Sequence, residues 1–69
     1  MWSGVKELAS KLTAGEKSSL EELDHGPMRH PIPFRHEERL MGLGLAELSL
    51  GRLDLTLAGK HALAEMRGA

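Results

Sequence analysis

The 69-residue chain has no cysteine, tyrosine, asparagine or glutamine, and only one tryptophan and one phenylalanine. Without cysteine there are no disulfides, thiolate metal sites or cysteine nucleophiles. Strand-forming residues are scarce: one valine, one isoleucine and two threonines, which argues against an extensive sheet. No charge of one sign dominates, with 9 Lys+Arg against 10 Asp+Glu and a net charge of −1. That excludes nucleic-acid binding by bulk positive charge, while a local basic face stays open. No apolar run approaches the roughly 20 residues that span a bilayer. No charged-then-apolar N-terminal stretch marks a secretory signal. A cytoplasmic protein with no membrane role is therefore expected.

Catalytic and cofactor motifs are missing as well. There is no GxxxxGK[ST] loop and no GxGxxG fingerprint, and Gly42, Gly44 and Gly51 read as punctuation. Ser3, Ser10, Ser18, Ser19 and Ser49 lack a nucleophile-elbow context. His25, His30 and His36 match no short zinc-binding spacing. His36 and His61 flank apolar positions, where a partly buried histidine is commoner than a ligand. A chain this short has little room for a pocket of several hundred cubic ångströms. Neither an enzyme, a metal site, a cofactor nor a small-molecule substrate is expected.

What the chain does have is 13 leucines and 7 alanines, both good helix formers. Its length allows one small domain. Such a domain buries only about 60% of the surface its unfolded chain exposes, and scaffolds of this size often lean on self-association. Ser3 is a candidate cap for a first helix, with Val5, Leu8, Ala9 and Leu12 on one face. Thr13-Ala14-Gly15-Glu16 fits a capping box that starts a second helix, from about Ala14 to Asp24, with Leu20 and Leu23 inward. His25-Gly26-Pro27 reads as its stop, with glycine just past the cap. Pro31 and Pro33 keep Met28 to Pro33 extended. A third helix is expected from Pro33, at its first position, to Gly42, with Leu40 and Met41 inward and Gly44 as a left-handed cap. Leu45 to Ser49 and Arg52 to Thr56 then alternate around Leu50-Gly51, the pattern of a short hairpin. Thr56 caps a last helix, Leu57 to about Arg67, with Ala58, Ala62, Leu63 and Met66 as its stripe.

The expected fold is mainly α with a two-stranded hairpin, in the order helix, helix, helix, hairpin, helix. The run Leu43-Gly44-Leu45, then the hairpin, then Leu55, Thr56, Gly59, Ala62 and Leu63 (an LTxxGxxAL pattern) resembles small bacterial winged helix-turn-helix proteins. The resemblance covers residues 13–66. It implies a winged-helix fold, with the third helix and the wing as the surface that meets DNA. The chain departs from the family ahead of the third helix. Only Gly26 to Ile32 separate it from the helix before, and two of those residues are proline, so either the N-terminal helix plays a displaced role or the usual positioning helix has been lost.

The stretch Met28 to Arg39 holds three of the five arginines. At 100° per residue, Arg35 and Arg39 share a helical face nearly opposite Leu40 and Met41. Arginine can bond guanine O6 and N7 as a fork, while Arg29, Arg52 on the wing and Lys60 would contact phosphates. The bland alternative is a solvated surface, with Glu37 and Glu38 opposing phosphate approach. Glu37 itself falls in the apolar stripe, where it either stays near solvent or pairs with an arginine such as Arg52. A second functional reading makes the protein an interaction or homodimerisation module with no nucleic-acid role. Trp2, Val5, Leu8 and Leu12 would then form a docking strip, or else cover the chain's own core.

Overall fold

A computed structural model describes residues 4–26 and 30–68, apart from the side chains of Val5 and Lys6. The elements are α1 (Val5–Lys11), α2 (Ala14–Leu23), α3 (Phe34–Gly42), β1 (Ala46–Ser49), β2 (Arg52–Leu55) and α4 (Leu57–Met66). The fold is therefore α+β, mainly helical with one antiparallel hairpin, in the expected order. The core is built from leucine and alanine alone: Ala9, Leu12, Leu20, Leu23, Leu40, Leu45, Ala46, Leu53, Ala62 and Leu63. No helix of the described residues is long and apolar enough to cross a membrane. Trp2, Ser3, Pro27, Met28 and Arg29 lie outside the described residues; the N-cap of α1 is Gly4 rather than the expected Ser3.

The capping box at the start of α2 is complete. Thr13 Oγ1 accepts the Glu16 N–H at 3.1 Å, and Glu16 Oε1 accepts the Thr13 N–H at 3.0 Å. The far end of α2 differs from expectation. The helix stops at Leu23, and the amides of Asp24 and His25 bond back to the carbonyls of Glu21 and Glu22. These three-residue bonds tighten the last turn. The left-handed residue is thereby delayed to Gly26, at φ +76°, two positions past the cap.

Pro33 is the N-cap of α3 rather than its first residue, and its carbonyl accepts the amides of His36 and Glu37. At the other end, Gly44 has φ +76° and its N–H bonds the Met41 carbonyl, while the Leu45 N–H bonds the Leu40 carbonyl. This paired closure is a Schellman motif. Its hydrophobic contact is supplied by Leu40 and Leu45, both fully buried, so the same turn that ends α3 anchors the hairpin in the core.

The hairpin pairs Ala46 with Leu55, Glu47 with Asp54, Leu48 with Leu53 and Ser49 with Arg52. Its two-residue turn places Leu50 at φ +54° and Gly51 at φ +77°, the signature of a type I′ turn. Directly paired residues share a face, so Ala46, Leu48, Leu53 and Leu55 line the inner side. α4 follows at once, and Thr56 does three things there. Its hydroxyl accepts the Gly59 N–H at 3.0 Å and donates to the Gly44 carbonyl at 2.6 Å, and its own N–H bonds the Leu45 carbonyl at 3.1 Å. Gly59 is buried against that carbonyl, and a Cβ there would overlap the Leu45 oxygen. The Thr56–Gly59 spacing is thus a packing device that brings α4 onto the start of the hairpin.

Candidate nucleic-acid interface

Three features orient α3. Leu40 is fully buried beneath it. His36 Nδ1 lies 2.7 Å from Ser19 Oγ of α2. Gly15 lets the imidazole approach, because a Cβ at that position would come within 3.1 Å of His36 Cε1. With this inner face fixed, Arg35 and Arg39 are both exposed, Arg39 on the flank beside His36 where α2 begins. Of the two histidines expected to be partly buried beside apolar faces, His36 is, and its Ser19 partner ties α2 to α3, whereas His61 is exposed.

The four cations of the expected DNA-facing set that are described, Arg35, Arg39, Arg52 and Lys60, behave differently. Arg35 makes no ion pair among the described residues. Arg39 Nε sits 3.8 Å from Glu16 Oε1, the oxygen that also closes the capping box. On the wing, Arg52 Nη2 lies 3.3 Å from Asp54 Oδ1. Lys60 is exposed on α4. Arg35 and Arg39 are brought together on one helical face. Arg52 and Lys60 are not, since Arg52 opens β2 beside the turn and Lys60 follows its inner end, about 10 Å of strand away. Arg29 lies outside the described residues. Glu37 is half-buried and Glu38 exposed. The pairing of Glu37 with Arg52 does not occur among the described residues, because Asp54 holds that guanidinium. Sequence reasoning missed Glu16 as the partner of Arg39. The signal was the capping box itself, which fixes a carboxylate at the start of α2.

The N-terminal strip is corrected in part. Leu12 is buried and Leu8 packs, half-buried, against the core. α1 lies along α4, so these two leucines cover the chain's own core and are unavailable as a docking surface. Trp2 and the Val5 side chain lie outside the described residues. Among the described residues the exposed large apolar side chains are elsewhere: Phe34, Leu48, Leu50 and Leu57. Leu48 is 64% exposed although it shares the inner face of the hairpin with buried Leu53, and Leu50 stands fully exposed at the turn.

Glu22 organises the connection between α2 and α3. Its Oε1 accepts the His30 backbone N–H at 2.8 Å and lies 3.1 Å from His30 Nδ1 and 3.4 Å from His25 Nδ1. The His30 amide and imidazole, with the charge of His25, hold the Glu22 carboxyl below its ordinary value. Among the described residues no group of three His, Asp or Glu side chains is placed to hold a metal ion. The chain matches no protein-family model, no curated protein and no solved structure.

Proposed function

We propose that the protein is a small, cytoplasmic winged-helix-like module that associates with duplex DNA through α3 and the wing, chiefly by phosphate contacts. The observation that carries the reading is the outward display of Arg35 and Arg39 on α3, directly ahead of a hairpin that brings Arg52 to its tip. About half of each arginine side chain in the Arg39 and Arg52 pairs is open to water; Asp54 is exposed as well, whereas Glu16 is largely covered and its contact with Arg39 is long at 3.8 Å. Such pairs are worth only ~0–1 kcal/mol, so a phosphate oxygen can replace Glu16 or Asp54. Lacking asparagine and glutamine, the chain has no bidentate partner for adenine, and guanine is the base an arginine fork would favour. Weak, salt-sensitive binding with little sequence preference is the expected behaviour. A fluorescence titration of labelled duplex at low and at physiological salt tests it. Association at low salt that collapses with added salt supports the reading; no association at low salt contradicts it.

A second reading, an interaction module without a nucleic-acid role, is favoured by one specific observation. The outer half of the wing presents Leu48 and Leu50 to solvent, and Leu50 occupies a left-handed position that asparagine or glycine fills at lower cost.

A further inference from the structure

We propose that the outer edge of β1 pairs with β1 of a second copy of this chain, antiparallel, about a two-fold axis through Leu48. The inference rests on the second reading above, in which the wing is an interaction surface. Both strands of the two-stranded sheet are edges, β2 packed against α2 and α4 and β1 against α3, but only β1 carries an exposed leucine, since Leu53 is buried and Leu55 half-buried while Leu48 is open. In a hairpin closed by a two-residue turn, the flanking pair Ser49–Arg52 exchanges both backbone bonds. Alternation then directs the N–H and C=O of Leu48 away from β2. Among the described residues no backbone bond outside the ladder reaches residues 46–49. Edges are normally guarded by short length, by charged side chains, most often lysine, by proline or by an inward charge; β1 is short but carries no lysine, proline or inward charge. β1 reads Ala-Glu-Leu-Ser, and its one charge, Glu47, is on the outer face.

The register follows from the residues. A one-residue shift would set inner-face leucine against outer-face residues. Centring on Glu47 would engage the free backbone groups of Ala46 and Leu48, but it would set two carboxylates directly opposite each other at the close, non-hydrogen-bonded spacing. Centring on Ser49 would need ladder bonds from Leu50, which lies in the turn at φ +54°. Centring on Leu48 leaves each leucine facing its mate through two free backbone bonds, and Glu47 facing Ser49. The inner faces of both hairpins then run on as one apolar surface, and the exposed part of Leu48 is covered. The occupant is a second copy because this short edge is complementary to itself in that register without a charge clash.

The expected interface is small and the dimer correspondingly weak. Sedimentation of the full chain across a concentration series should show reversible dimerisation at tens to hundreds of micromolar. Leu48→Lys should shift the dissociation constant at least tenfold towards monomer, with the helical circular dichroism and melting curve retained. Leu57→Lys, at another exposed leucine, should leave the dimer in place. The register is read separately in a chain that has no cysteine of its own. Paired Cα atoms about 5.5 Å apart fall within disulfide range, so Leu48→Cys should cross-link on mild oxidation and Ser49→Cys should not. A dimer that survives Leu48→Lys, or that cross-links through Ser49→Cys instead, overturns the edge pairing while leaving self-association intact. A monomer throughout the concentration series overturns both.

Discussion

Gly59 shows how much one missing side chain can decide. A methyl group there would overlap the Leu45 carbonyl oxygen, which itself accepts the Thr56 amide. Backbone cannot yield as a flexible side chain can, so Gly59→Ala is expected to cost at least ~2 kcal/mol in urea unfolding. A loss below that would mean α4 can slide off the hairpin without consequence. Leu50 is the opposite case. Its left-handed backbone carries a steric cost that asparagine tolerates better, and its side chain makes no buried contact. Leu50→Asn should therefore raise stability by ~0.5–1 kcal/mol, read as a higher urea midpoint with an unchanged slope. The turn at Leu50-Gly51 was legible in the sequence because the strands on either side alternate. The crowding at Gly59 was not, since a glycine inside a helix looks the same whether it faces water or another carbonyl.

At the scale of elements, the helix starts at Thr13 and Thr56 and the left-handed close of α3 at Gly44 were legible, while the start of α3 and the close of α2 were less so. Thr13 and Thr56 announce their helices because a hydroxyl three residues ahead of an amide has one obvious use. α2 ends differently from the reading of Gly26 as its immediate stop, because two tightened turns intervene before the chain reverses hand. Thr56 also donates to Gly44, joining the cap of α3 to the start of α4. Thr56→Ala should cost ~1–2 kcal/mol, and Thr56→Ser should recover most of it; an undiminished loss in the serine variant would assign the effect to the methyl group instead. The α2–α3 connection predicts a pH effect. Glu22 has its carboxyl pKa lowered in the folded state by the His30 amide and imidazole. Its stabilising contribution is thus complete above the ordinary carboxylate range and disappears as pH falls through the depressed folded value. Glu22→Gln should flatten the acid limb of the stability profile below about pH 4. An acid limb identical to that of the unaltered chain would remove Glu22 as its source.

For the whole molecule, leucine and alanine patterning made the order of elements readable, because each apolar stripe needs a neighbour to cover it. Long-range pairings were hidden: Arg39 with Glu16, Ser19 with His36 and Arg67 with Asp24 join residues far apart in the chain. Those pairings bear on function, since they decide how much positive charge is left to meet a phosphate backbone. With a net charge of −1, the molecule has no general attraction to DNA, and any association must come from the α3 face and the wing. The most direct measurement compares the salt dependence of duplex binding for the unaltered chain and for the double variant Arg35→Ala/Arg39→Ala. Removing two phosphate contacts should make the log–log salt slope shallower by about 2 and weaken binding at low salt. An unchanged slope and affinity in a folded double variant would contradict the assignment of α3 as the DNA-facing element.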